Sequence, residues 1–364
     1  MKVLIIGNSV RSIACSAKRA GHIVHSIDNF GDLDTIKCSD IFEFLKSVSS
    51  KKLQEIASEM DAVILGSEFG KLSLKNALNN KPDIMLKAGD KSKIAKKLKS
   101  MGIPHPETSS ADKAHCLEYP LMIKPKLGSG GTRNTVVRNE EELLLFFEKH
   151  APDEYIVQEF ISGIPCSASL VSTGKEASVI SINEQLIGVP WLTGLPFAYC
   201  GNITPFHSQY NDLMTGYAKE IALEYGLLGS NGVDFIVSDK GPYVIEVNPR
   251  FQGSLDTVEL ATGINVFQAH VDSFSGILAE PRDLKCFAAK AIVFGEKHGV
   301  VGTDLSNKLF ECMDHNEAAD IPRAGTVVLP DQPITTLLTT GNSRNAVLHR
   351  LRRSPDYVKS QTEG

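Results

Sequence analysis

The chain has 364 residues, of which 42% are hydrophobic and 22% charged, and its net charge is −5. That length predicts two or three domains with a sizeable buried core, in a composition ordinary for a globular protein. The acidic balance argues against a nucleic-acid surface, and no apolar run is long enough to span a membrane. The seven cysteines are scattered without a C-x-x-C pair. Neither a zinc site nor a disulfide framework is expected, and most cysteines read as small core hydrophobes.

Val3-Leu4-Ile5-Ile6 reads as a buried parallel strand ending at Gly7. The run is too short for a signal-peptide core, so a cytoplasmic protein is expected. Val10, Ile13, Ala14 and Ala17 recur at helical spacing up to Gly21, and Ile23 to Ile27 and Ala62 to Leu65 read as further strands. This is a βαβ pattern, expected as one unit over residues 1–88.

A second unit, 89–160, opens at Asp90. Its lysine-rich segment, Lys91, Lys93, Lys96, Lys97 and Lys99, predicts a solvated helix face, and Leu121 to Lys124 a strand. Gly128-Ser129-Gly130-Gly131 follows as a glycine-rich loop. Asn139 with Glu142 has the spacing of a capping box, and Tyr155 to Phe160 reads as another strand. The third unit, 161–350, is rich in strands, the clearest being Ser167–Ser172, Val233–Val237, Tyr243–Val247 and Ala288–Phe294. Trp191 to Pro205 reads as a long loop, and 351–364 as a polar, frayed tail.

The chemistry concentrates in a hairpin from Val233 to Arg250. A turn at Asp239-Lys240-Gly241 sets Asp234 opposite Glu246, and Glu246 and Asn248, two apart, share a strand face. Two carboxylates and an amide oxygen suit Mg²⁺ held jointly with nucleotide phosphates. Arg250 adds a fixed cation for a carboxylate or phosphate. A half-exposed hairpin with ordinary surface polars is the competing reading. Lys124 before the glycine loop supplies charge and close backbone approach for phosphates, although a plain turn gives the same composition. The loop is not a Walker A motif, and Gly7-Asn8-Ser9-Val10-Arg11 is not a dinucleotide fingerprint.

The order Asp90-Lys91, Lys124 with its glycine loop, Gln158-Glu159-Phe160-Ile161, Asp234, then Glu246-Val247-Asn248-Pro249-Arg250 resembles the ATP-grasp superfamily, over roughly residues 1 to 345. The resemblance implies an α/β and α+β architecture. A Rossmann-like pre-ATP-grasp domain precedes a small ATP-binding lobe and a larger, β-rich C-terminal lobe. It implies ATP and Mg²⁺, or Mn²⁺ in its place, as cofactors. Lys91, Lys124 and the loop Gly128, Ser129, Gly130 and Gly131 would contact phosphates. Gln158, Glu159, Phe160 and Ile161 would meet the adenine edge. Asp234, Glu246 and Asn248 would hold metal, with Arg250 and Lys124 catalytic. The acid that often binds ribose in the family is missing from Ile164-Pro165-Cys166-Ser167, which leaves that contact unassigned.

The implied reaction is an ADP-forming ligation. A carboxylate becomes an acyl phosphate and is joined to an amine, which needs positioning and charge neutralisation rather than a side-chain nucleophile. Phe30-Gly31-Asp32-Leu33-Asp34, Glu184 to Gly188 and Tyr199 to Pro205 are similar to the archaeal-type group of predicted ATP-dependent carboligases. Tyr199 and Asn202, together with Arg250, are expected to face the second substrate; a packed structural loop is the alternative. Small-molecule carboxylate and amine substrates follow from the resemblance, with a homodimer as the family's frequent assembly. A biotin-carboxylase-like enzyme activating bicarbonate and a degenerate ATP-binding regulator remain alternatives.

Overall fold

Val3 to Ile6 are fully buried in strand β1 (Lys2–Ile6), as a parallel strand covered on both faces must be. Helix α1 (Arg11–Arg19) turns Ile13, Ala14 and Ala17 inward and carries Lys18 and Arg19 in its last turn, where the helix dipole favours cations. Gly21, at φ +83°, leads into β2 (Ile23–Asp28). Helix α2 (Leu33–Lys37), β3 (Ile41–Phe44), α3 (Ser50–Ser58) and β4 (Ala62–Leu65) complete a parallel sheet of order β3-β2-β1-β4. This computed structural model describes residues 1–363 apart from 67, 68, 70, 71 and 129.

Packing of α1 on α2 overturns one expectation. Cys15 and Cys38 form a disulfide, with 4.9 Å between their Cα atoms. The pairing joins residues 23 apart in sequence, and no spacing motif announces it.

Helices α4 (Pro82–Gly89) and α5 (Lys91–Met101) lead to the second sheet. The Asp90 carboxylate caps α5 by accepting from the N–H groups of Ser92 and Lys93, and Gly102 ends it in the left-handed conformation. Lys93, Lys96 and Lys99 lie on a solvated face, whereas Lys91 is buried. Strands β5 (Thr108–Ser109), β6 (Leu121–Pro125), β7 (Thr135–Val137) and, after α6 (Glu140–Lys149), β8 (Tyr155–Glu159) form an antiparallel sheet of order β5-β8-β6-β7. Asn139 caps α6 by accepting from the Glu142 N–H, and the Glu142 carboxylate accepts from Arg138 N–H rather than from Asn139.

Strands β9 (Ile164–Thr173), β10 (Ala177–Ile187) and β11 (Tyr199–Thr204) open the third region. Helix α7 (Asn211–Glu224), β12 (Leu228–Ser238), β13 (Gly241–Asn248), α8 (Leu255–Thr262), α9 (Val266–Ser273) and β14 (Phe287–Phe294) follow. Next come β15 (Gly299–Val301), α10 (Thr303–Met313), β16 (Ala318–Ala319), β17 (Val327–Val328), β18 (Pro333–Gly341), α11 (Arg344–Leu351), α12 (Pro355–Ser360) and β19 (Thr362–Glu363). Among the described residues eight of these strands pair in the order β13-β12-β9-β10-β11-β14-β18-β16, and β17-β15-β19 form a small sheet. Two expectations are corrected here. Tyr199–Thr204 is a central strand rather than loop, because β10 and β14 pair with it on either side. The C-terminus is not frayed: Pro355 and Val358 are buried, and Thr362 pairs with Val301.

The core ties these regions together behind the hairpin β12–β13. Ile13 and Ala14 of α1 share a buried cluster with Leu255 and Val258 of α8 and Phe267 of α9. Ala88 and Leu98 pack in another with Val233, Phe235 and Val247. At the first seam, buried Arg11 meets Asp256 at 2.5 Å, Asp320 at 2.9 Å and Asp34 at 3.5 Å. Among the described residues no helix is long and apolar enough to cross a membrane.

Candidate active site

The hairpin turns between Ser238 and Gly241, and a one-residue register shift brings Asp234 directly opposite Glu246. A bulge between Asp234 and Phe235 interrupts the ladder there. Asp234 is held on both sides: Gln185 Nε2 donates to its Oδ1 at 3.2 Å and Asn248 Nδ2 to its Oδ2 at 3.0 Å. Arg250 Nη2 donates to Asn248 Oδ1 at 3.2 Å, and Nη1 to the Phe251 carbonyl at 2.9 Å. Burial and repulsion from Glu246 raise the Asp234 carboxyl above the usual carboxylate range, against the pull of Arg250, the Asn248 hydrogen bond and Lys91.

Opposed carboxylates with an amide oxygen beside them fit a divalent cation of the hard, oxygen-seeking kind, whose charge would relieve their repulsion. Among the described residues no three His, Cys, Asp or Glu side chains cluster as metal ligands. Two carboxylates and one amide are the sparse set that Mg²⁺ accepts when phosphates complete its shell.

Two lysines face this hairpin across a cavity of about 640 Å³. Lys91 Nζ lies 3.4 Å from Glu246 Oε1 and donates to the Gly128 carbonyl at 3.0 Å. Lys124, the penultimate residue of β6, is 7% exposed. Burial lowers its ammonium to about 8, against the attraction of Glu246. The positive edge of the cavity is therefore formed by buried, preorganised ammonium groups rather than by mobile surface charge.

The cavity is lined by Lys91, Lys124, Gly128, Gly130, Gly131, Glu159, Phe160, Ile161, Tyr199, Asp234, Glu246, Asn248 and Arg250. Ser129 lies outside the described residues. Two expected residues are not brought to the wall. Gln158 is 3% exposed, opposite Met122 in the β6–β8 ladder, with Nε2 donating to Thr108 Oγ1 and Oε1 without a partner. Asn202 is fully buried, and this is a correction. Its Oδ1 accepts from Tyr199 Oη at 3.0 Å, while its Nδ2 donates to Thr204 and Thr257. It supports Tyr199 from behind.

Sequence reasoning missed Gln185, Phe197, Gln252 and Ser254, which line the same space. Gln252 Oε1 accepts from Ser169 Oγ at 2.9 Å, which fixes the orientation of its amide. Gln252 lies past the end of β13, where strand parity no longer applies. Nothing local marks Gln185 or Phe197.

The glycine loop is docked against the opposite wall. Tyr199 N–H donates to the Gly130 carbonyl at 3.0 Å. Gly131, at φ +73°, meets the Phe197 carbonyl so closely that a Cβ would lie 2.0 Å from its oxygen. Only glycine allows this approach.

The family model for an ATP-grasp domain matches residues 88–254, the stretch that holds both lysines, the glycine loop and the hairpin. An uncharacterized protein of Methanocaldococcus jannaschii is 24% identical over an alignment covering all of this chain and 94% of that protein. The N5-carboxyaminoimidazole synthetase of Staphylococcus aureus superposes with a TM-score of 0.73 at 17% identity, over 96% of each chain. The biotin carboxylase domain of the Hydrogenobacter thermophilus 2-oxoglutarate carboxylase, solved as a dimer with MgADP and bicarbonate, gives 0.72 at 15% identity over 96% of this chain and 88% of that one. An L-amino acid ligase from Bacillus licheniformis gives 0.70 at 19% identity, over 98% of this chain and 97% of that one. The chain has the ATP-grasp fold, and its residues 88–254 match the family model of an ATP-grasp domain.

Proposed function

We propose that this protein is an ADP-forming ligase that uses Mg-ATP to convert a carboxylate to an acyl phosphate and transfers the acyl group to an amine. The observation that carries this reading is the convergence of Asp234, Glu246, Asn248, Arg250, Lys91 and Lys124 on one cavity. In this reading the lysines and the backbone of Gly128 to Gly131 hold the phosphates, and Glu159 to Ile161 border the nucleobase. Asp234, Glu246 and Asn248 would hold Mg²⁺, whose charge, when bound, neutralises phosphate oxygens.

Arg250 is placed in this reading on the carboxylate, then on the acyl phosphate formed when its oxygen takes the γ-phosphoryl group and ADP leaves. A neutral amine attacks the acyl carbon and phosphate departs. The docked glycine loop would keep water from the intermediate. Tyr199, with Phe197 and Gln252 around it, is assigned to the second substrate. A dimer is known for the carboxylase domain above, and we extend it to this chain as an expectation for light scattering.

A second reading has its own support. Arg250 and the fixed amide of Gln252 stand together on one wall, a donor pair small enough for bicarbonate. The test is release of ADP and phosphate by the pure protein with Mg-ATP, against pools of carboxylates and amines, with and without bicarbonate. Lys124→Ala is the control. A requirement for one carboxylate and one amine supports the ligase. A requirement for bicarbonate alone replaces it with the carboxylase. Tight ATP binding with no release in any pool favours a regulator.

A further inference from the structure

Between β4 and α4 the chain runs through Leu78-Asn79-Asn80, and the two asparagines grip different bodies. Asn79 Oδ1 accepts from Leu65 N–H at 2.9 Å and its amide donates to the Leu65 carbonyl at 3.0 Å, closing on the end of β4. Asn80, 4% exposed, turns the other way. Its Oδ1 accepts from Leu228 N–H at 2.8 Å. Its Nδ2 donates to Asn231 Oδ1 at 2.8 Å and to the Pro249 carbonyl at 3.0 Å, with the Leu228 carbonyl at 3.2 Å.

The contact with Pro249 matters most. The β12–β13 ladder reaches Gly232 and Asn248, so the buried Pro249 carbonyl lies just past its end. A buried carbonyl without a ladder partner has to be paired elsewhere, and Asn80 pairs it. Arg250 is the next residue. Its N–H donates to the Asn248 carbonyl at 2.8 Å, and its guanidinium rests on Asn248 Oδ1 and the Phe251 carbonyl. Asn248 and Arg250 thus flank the Pro249 carbonyl that Asn80 grips. The next bond along leads through Asn79 to the N-terminal sheet.

We infer that Asn80 is a positioning residue: it fixes the Asn248-Pro249-Arg250 turn against the N-terminal sheet, and so sets where the metal-side amide and the arginine stand. The tie is a matter of geometry; its consequence for catalysis rests on the ligase reading. Asn80 does not line the cavity and acts only through the turn.

Hydrogen exchange on the full chain, without ligand, tests the tie. In Asn80→Ala the peptide spanning 246–252 exchanges at least about tenfold faster, while peptides from β5 to β8 keep their wild-type rates. Asn80→Asp retains the acceptor for Leu228 N–H but sets a carboxylate against three oxygens, and loosens the same segment as much or more. Unchanged exchange at 246–252, or equal acceleration everywhere, overturns the inference. Titration of Mn²⁺ into the ADP-loaded protein tests the consequence. Asn80→Ala weakens Mn²⁺ about tenfold and leaves metal-free ADP affinity within about twofold, a split that general destabilisation does not produce. Wild-type Mn²⁺ affinity in the variant overturns the positioning of Asn248. A wild-type protein that binds neither ADP nor Mn²⁺ refutes the ligase reading instead, and exchange still decides the tie.

Discussion

Asp234 and Glu246 face each other across adjacent antiparallel strands, with Lys91 Nζ 3.4 Å from the glutamate and Asn248 Nδ2 3.0 Å from the aspartate. Like charges set opposite each other in a ladder destabilise it. Here each carboxylate has a donor of its own, so the pair persists as a site of concentrated negative charge.

Glu246→Gln keeps the shape and removes one of the two charges. Turnover should fall at least about a hundredfold, and ADP affinity measured without metal should change little. The paired measurement is steady-state phosphate release beside nucleotide titration. Wild-type turnover in this variant would remove Glu246 from the metal site.

Gly131→Ala tests the docked loop. The added methyl would stand 2.0 Å from the Phe197 carbonyl oxygen, and the left-handed backbone costs about 1–2 kcal/mol for a residue with a Cβ. Turnover should drop at least about tenfold, and nucleotide affinity should weaken with it, since the same loop is assigned to the phosphates. A variant that turns over normally would show that the loop need not dock on Phe197.

Arg11→Met strips the cation from buried Asp256 and Asp34 and from Asp320. Breaking such a pair from one side costs about 3–5 kcal/mol, because, among the described residues, the buried carboxylates then keep only Lys290, 3.4 Å from Asp256, as an ion-paired cation. Urea unfolding should show that loss. Adding Asp256→Leu should recover part of it, since the two changes share one interaction.

His270 is 2% exposed, with Nδ1 accepting from Ser230 N–H and Nε2 donating to the Leu78 carbonyl. Burial lowers it from 6.5 to about 4, so the folded protein holds it neutral. Between those values the unfolded chain binds the proton and the folded chain does not. Its contribution is therefore complete above pH 6.5 and lost as pH falls toward 4, by about 3 kcal/mol in all. Urea unfolding of wild type against His270→Gln at pH 7, 5.5 and 4.5 isolates this slope. Parallel pH profiles would assign the acid sensitivity elsewhere.

Several elements were legible because their determinants are local. Val3 to Ile6 is apolar without interruption, so it had to be a strand buried on both faces. A short turn joins β12 to β13 and brings Asp234 and Glu246 to the same stretch of the hairpin, while the bulge between Asp234 and Phe235 sets them directly opposite. Lys124 and the glycines that begin four residues later lie in one short stretch of chain. The Trp191–Pro205 segment was misread because its glycines and prolines resemble a loop, while the ladders that make Tyr199–Thr204 a strand come from β10 and β14, distant in sequence.

Side-chain direction on β11 shows where local reasoning stops. Tyr199 and Asn202 both stood as substrate-facing residues, yet only Tyr199 reaches the cavity, because α8 brings Thr257 beneath Asn202. The sequence by itself determined the hairpin, its carboxylates and amide, the arginine after them and the lysine before the glycine loop. Each depends on strand parity or a turn within a few residues. Only the tertiary structure decided that Gln185 reaches Asp234, that Cys15 meets Cys38, that Arg11 joins Asp256, and that Asn80 grips Pro249. Those pairs join residues far apart along the chain, and the packing of sheets and helices, which no local spacing encodes, sets their distances.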